Sequence, residues 1–168
     1  NPVLFLKRNL NDPNVELRLS AVAMLRKTGT PATIDALGQT AIDENQHETV
    51  RLKAIEAIGA ISLSDPGVVG REIIGKNIRA TQLLGQPPLF DDGSIEKRHQ
   101  HQIFYLSKIA NDSKNSNALV LRAIKSIGQV KDKSSIKSLE MIINTHKDPS
   151  VRKQAIRVLS HVIARQYE

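Results

Sequence analysis

The segment DPNVELRLSAVAML at residues 12–25 is echoed by DPSVRKQAIRVLS at 148–160. Repetition constrains the fold more than any other feature here. A self-similar chain builds a stack of like units, each burying its apolar surface only against its neighbours. The small-then-branched pairs Ala21-Val22, Ala54-Ile55, Ala123-Ile124 and Ala155-Ile156 lie 33, 69 and 32 residues apart. Leu25, Ile58, Ile127 and Leu159 follow each Ala by four residues, one helical turn further along the same stripe. Each copy thus starts with an amphipathic helix, called first-type below. Gly29, Gly59 and Gly128 fall near the ends of these stretches and are expected to help close them.

A second apolar period follows each first helix after a short break. Thr30-Pro31 precedes Ile34, Leu37 and Ile42, and Lys133-Ser134-Ser135 precedes Ile136, Leu139, Ile142 and Ile143. The unit is therefore a pair of helices. The 69-residue interval is close to two periods and predicts one degenerate copy. Its first-type helix would carry Ala80, Leu84 and Gly85 and stop at Pro87-Pro88. Its second-type helix would start at the cap Ser94 and carry Ile103, Leu106 and Ile109. The apolar start at 2–10 reads as a second-type helix without its partner, so residues 1–168 are expected to form one array cut from a longer solenoid.

Paired helices at this period, with Asp-Pro ahead of Val-x-x-x-Ala-type runs, resemble HEAT repeats of the short type first noted in phycobilisome lyases. The residues that carry the resemblance are Asp12-Pro13, Val15, Arg18 and Ala21; Val50, Arg51 and Ala54-Ile55; Leu119 and Ala123-Ile124; and Asp148-Pro149, Val151-Arg152 and Ala155-Ile156. The expected fold is an all-α right-handed α-solenoid of about four HEAT-like helix pairs, one degenerate, forming a single domain over 1–168. The resemblance also implies that Arg18, Arg51 and Arg152 pair with an Asp of a neighbouring repeat, drawn from Asp12, Asp43, Asp112 and Asp148. In function it implies scaffolds and adaptors above all, with a few lyases and nucleic-acid enzymes among them.

Composition supports packed helices. Of 168 residues 40% are hydrophobic but only 3% aromatic, with no Trp, so Leu, Ile, Val and Ala must fill the core. No apolar run approaches the roughly 18 residues of a membrane span, and no charged start leads into a signal-like stretch. A soluble, cytoplasmic protein is the expectation. The lack of Cys removes disulfides and thiolate metal sites.

Several motifs fail on their own chemistry. GREIIGKN at 70–77 fits the phosphate-cradling loop G-x-x-x-x-G-K-[ST] until Asn77, which lacks the hydroxyl that holds magnesium. His99 and His101 are two apart, about 200° around a helix, and do not converge on one ion. Asp91 to Ser94 lacks the alternating ligands and closing Glu of a calcium loop and reads as loop plus helix cap. No nucleophile–base set can be built, so no enzyme activity and no cofactor are expected.

Charge singles out the C-terminal third. Residues 1–113 hold 13 Lys/Arg and 13 Asp/Glu, whereas 114–168 hold 11 against 4, which is the whole net charge of +7. On the last helix Lys153, Arg157, His161 and Arg165 recur every four residues as one stripe, His161 adding a charge when protonated. Val151, Ala155, Ile156, Leu159, Val162 and Ile163 are read as its buried side. Lys125, Lys133 and Lys137 join the stripe from the preceding pair as the candidate binding set. The leading reading is a non-enzymatic protein-interaction scaffold or adaptor whose partner presents an acidic segment. One alternative is sequence-independent nucleic-acid binding through the same cations, weakened by the neutral first two-thirds and the few aromatics. A second, from the resemblance, is a bilin lyase-like subunit, for which no residue can be assigned to chromophore transfer.

Overall fold

The computed structural model describes residues 2–61, 93–130 and 132–166. These residues form helices joined by short turns, with no strand among them. The helices are α1 (Pro2–Asn9), α2 (Val15–Thr28), α3 (Pro31–Ile42), α4 (Glu48–Ala60), α5 (Gly93–Asn111), α6 (Asn117–Gln129), α7 (Ser134–Thr145) and α8 (Pro149–Ala164). The starts are chemically marked. Asn14, Thr30, Ser116 and Asp148 each cap with a side-chain oxygen that accepts an otherwise orphaned backbone N–H, and Pro31 and Pro149 open their helices. α5 already runs from Gly93, so the expected cap Ser94 lies inside its first turn.

The helices alternate between two layers. First-type helices α2, α4, α6 and α8 stack in that order, and second-type helices α3, α5 and α7 stack beside them, with α1 against α2. The all-α stack of helix pairs is the predicted α-solenoid. Leu25, Ile34, Leu37, Ile55, Ile58, Leu106, Leu119, Ile124, Ile127, Leu139 and Ile142 are all fully buried between the layers, so one continuous aliphatic core runs the length of the array.

Of the degenerate copy expected in the 69-residue interval, the second-type helix is α5, and no described first-type helix stands between α4 and α6. Its proposed first-type helix at Ala80 to Gly85 lies outside the described residues, as does GREIIGKN. The flanking helices nevertheless meet directly: an ideal Cβ on Gly59 of α4 would fall 2.6 Å from Ser126 Cβ and 2.8 Å from Ser126 Cα of α6. Nothing fits between helices that close. Among the described residues, α4 and α5 are therefore the first-type and second-type helices that stand between α3 and α6 in the stack. Gln102, fully buried on α5, donates from Nε2 to the Ile58 and Ile61 carbonyls at 2.6 and 3.3 Å, binding the end of α4 to the helix where the chain returns.

The glycines also differ from expectation. Of the three expected to do so, only Gly29 closes a helix, in the left-handed region at φ 56°, where a side chain would be strained. Gly59 and Gly128 lie within α4 and α6, and their missing side chains admit the next first-type helix; a Cβ on Gly128 would sit 2.3 Å from Val158 Cγ1. Gly59→Ala should therefore destabilise the fold by about 1–3 kcal/mol although Ala is the better helix former, because Ser126 presents backbone as well as side chain. Chemical denaturation of the variant checks this.

Candidate functional site

The recurring arginines come first, because they decide which cations remain for a ligand. None of the three meets the Asp that the resemblance implied. Arg18 Nη1 donates to Gln46 Oε1, and Arg51 Nη2 donates to Asn115 Oδ1 at 2.6 Å while its Nε binds the Ala41 carbonyl at 2.9 Å. Gln46 and Asn115 occupy the same register, five residues ahead of the repeat position held by Arg51 and Val120. Each amide is also anchored by its nitrogen, Gln46 to the Leu10 carbonyl and Asn115 to that of Ile109. The result is an arginine–amide ladder from one repeat to the next. It stops at Val120, and Arg152 bonds only its own turn, through the His146 carbonyl at 2.9 Å.

The aspartates are occupied elsewhere. Asp12, Asp43 and Asp112 accept the backbone N–H two residues on, from Asn14, Asn45 and Lys114, at 2.8–3.0 Å, and Asp148 does the same for Ser150 as a cap. A carboxylate that turns its own chain in this way is not aimed across at the next helix.

The predicted binding residues fall in three places and do not form a single patch. Lys125 on α6 and Lys153, Arg157 and His161 on α8 are exposed on adjoining first-type helices. Lys125 and Arg157 hold equivalent positions, 32 residues apart. Lys137 is exposed on α7, in the other layer. Lys133 and Arg165 instead share a cavity of about 430 Å³ between the end of α6, the start of α7 and the end of α8, lined also by Val130, Asp132, Ser135, Val162 and Gln166. Arg165 is partly spent: its Nη2 donates to the Gly128 carbonyl, a cation placed at the C-terminal end of α6. Arg122 reaches Glu56 at 2.8 Å and Lys114 reaches Glu44 at 3.5 Å.

The buried side of α8 needs correcting. Val151, Ala155 and Val162 are buried as expected and Leu159 half-buried, but Ile156 and Ile163 are 50% and 40% exposed. Phe104 and Met141, which the sequence reading did not single out, are exposed on the second-type helices.

The two histidines diverge, as their spacing requires. His101 Nδ1 stands 3.1 Å from Asp35 of α3, and His99 Nδ1 stands 3.5 Å from Asp132 beside α7. Among the described residues no cluster of three or more His, Asp or Glu could hold a metal ion, and no helix is long and apolar enough to cross a membrane. Partial burial alone would raise the Asp132 carboxyl. Hydrogen bonds from the Ser134 hydroxyl and backbone N–H, with His99 nearby, outweigh it and hold the group below the usual carboxylate range.

A family model of HEAT repeats matches residues 3–69. No curated protein matches the chain. Among solved structures the chain is similar to human deoxyhypusine hydroxylase in complex with glycerol, at 13% identity over 95% of this chain and 84% of that one, with a TM-score of 0.34. So loose a likeness transfers no function.

Two outcomes follow for the ladder and the Asp132 turn. Arg51→Met should cost about 2–4 kcal/mol in urea unfolding, and a double-mutant cycle with Asn115→Ala should give a coupling of about 1.5–3 kcal/mol, because a buried charged donor and its acceptor are lost together. Asp132 is depressed in the folded state, so it contributes stability above the unfolded carboxylate range that is lost as pH falls through its folded value. Asp132→Asn should remove that part of the acid-side decline in Tm, measured by thermal melts across acidic pH.

Proposed function

We propose that this HEAT-like repeat protein is a non-enzymatic interaction module that binds an acidic segment of a protein partner on the basic face of α6 and α8. HEAT repeats are general protein-interaction scaffolds, because stacked helix pairs expose long ordered surfaces at little entropic cost on binding. The observation that carries the reading is the division of labour among cations. Arg18, Arg51, Arg122, Arg152 and Arg165 are bonded into the fold. Among the described residues, Lys125, Lys153 and Arg157 are exposed and have neither an ion pair nor a side-chain hydrogen bond. Like charges gathered without acids raise a local positive potential, which steers an acidic partner and fixes its register.

The test is fluorescence anisotropy with a labelled Glu/Asp-rich peptide, run beside a labelled DNA duplex. The peptide should bind at low salt, weaken as salt rises, and lose about tenfold or more in affinity to a Lys125→Glu/Lys153→Glu/Arg157→Glu variant whose melting temperature is unchanged. Equal peptide binding by the variant would sink the proposal. Tight duplex binding with a log–log salt slope of about −5, the value for six phosphate contacts, would put nucleic acid in place of the protein partner.

A further inference from the structure

α5 has a second-type helix on each side, so its circumference divides into two flanks and an outward face. One flank meets α3. There His101 stands against Asp35, and the Tyr105 hydroxyl accepts from Gln39 Nε2 at 3.3 Å. The Tyr105 ring lies on Gly38, where a Cβ would fall 2.3 Å from it. The other flank meets α7 through a hydrogen bond of 2.5 Å between the Ser107 and Ser138 hydroxyls. Phe104 and Lys108 fall between the two flanks, one helical turn apart, and both are exposed. They face out of the layer, across the direction in which repeats stack, so a further repeat at either end of the array would not cover them.

The same face continues onto α7. Lys137 and Met141 hold the positions of Phe104 and Lys108, 33 residues on, and are exposed as well. Phe104 and Met141 are 59% and 54% exposed, the large apolar side chains left open on these two helices. By register the face is a checkerboard, with Phe104 beside Lys137 and Lys108 beside Met141. Among the described residues neither lysine has an ion pair or a side-chain hydrogen bond. Glu140 lies about 200° around α7 from Ser138, on the side turned away from α5. On α3 the counterparts are Asp35 and Gln39, both taken up by α5. The open face is therefore confined to α5 and α7.

We propose that the outward face of α5 and α7 is a second docking surface, for an acidic segment of a partner protein that carries apolar anchors. Apolar side chains of the partner seat against Phe104 and Met141, and its carboxylates answer Lys108 and Lys137. The surface belongs to the other layer from Lys125, Lys153 and Arg157 and does not depend on them. Each half of its chemistry excludes a simpler occupant. Two exposed lysines alone supply little affinity, and a purely acidic segment would leave Phe104 and Met141 in water. Burial of the ring and the thioether supplies the attraction, and the amines select the sign and register of the partner. A nucleic-acid strand is the poorer occupant, because Phe104 is the single open ring on this face and Met141 offers a base no platform.

The probes are two labelled peptides of Glu and Ser, one with two Leu residues and the other with Ser in their place, titrated by anisotropy against the whole chain. The Leu peptide should bind wild type about tenfold or more tighter than the Ser peptide. That advantage should vanish in Phe104→Gln, fall about tenfold in Lys108→Glu/Lys137→Glu, and survive in Lys125→Glu/Lys153→Glu/Arg157→Glu. If the Leu peptide binds no better than the Ser peptide, or ignores the changes on α5 and α7, this surface falls. Losses confined to the Lys125, Lys153 and Arg157 variant would then leave the basic face of α6 and α8 standing alone, and no binding of either peptide would sink both. A single-stranded oligonucleotide that binds and needs Phe104, or a dimer in sedimentation velocity that Phe104→Gln dissolves, would assign the face to another occupant and overturn the proposal. So would a fall of more than about 10 °C in the melting temperature of Phe104→Gln, which would show the ring packed in the free chain; loss of its edge contact with Tyr105 accounts for only a few degrees.

Discussion

The meeting of one first-type helix with the next is the contact on which the array depends. At the α4–α6 and α6–α8 junctions it uses a residue without a side chain: Gly59 admits Ser126, and Gly128 admits Val158. The stacking of first-type helices seals the aliphatic core between the layers and brings the turns near enough for Arg18 and Arg51 to reach amides of the following repeat. Apolar burial supplies most of the driving force. The arginine–amide ladder adds direction, because a charged donor buried with a matching acceptor penalises any shift of one repeat along the next.

The ladder also explains the uneven charge. Where it runs, in the first repeats, Arg18 and Arg51 are consumed by the fold, and Asp12, Asp43 and Asp112 turn their own backbone. Past Val120 the ladder has no rung, and the junction between α6 and α8 is held by Val158, Val162 and the reach of Arg165 to the Gly128 carbonyl. Lys125, Lys153 and Arg157 of this region are left on the surface. Structure and charge therefore distinguish a part in which arginines tie one repeat to the next from a part in which Lys125, Lys153 and Arg157 stay exposed.

Much of this was legible in the residues. The Ala-branched pairs placed all four first-type helices, and the two-residue separation of His99 and His101 was enough to send them to different neighbours. Interval arithmetic said less: 69 residues suggested an intervening copy, yet spacing along the chain does not fix which first-type helices meet, and α4 meets α6 directly. Glycine near a helix end was ambiguous for a similar reason. Gly29 closes its helix and Gly59 does not, and only the neighbour's position separates a cap from a close approach.

By itself the sequence determined that this chain is a stack of helix pairs, which faces of the helices are apolar, and that the excess charge lies in the last third, because periodicity and composition are properties of position along the chain. The tertiary structure alone decided that α4 touches α6, that arginines answer amides and not aspartates, that Lys133 and Arg165 turn to a cavity while Lys125 and Arg157 stay outside, and that Ile156 lies open where its counterparts are buried. Each of those depends on which residue of another repeat stands opposite, and that is fixed by packing across the chain, where local pattern holds no information.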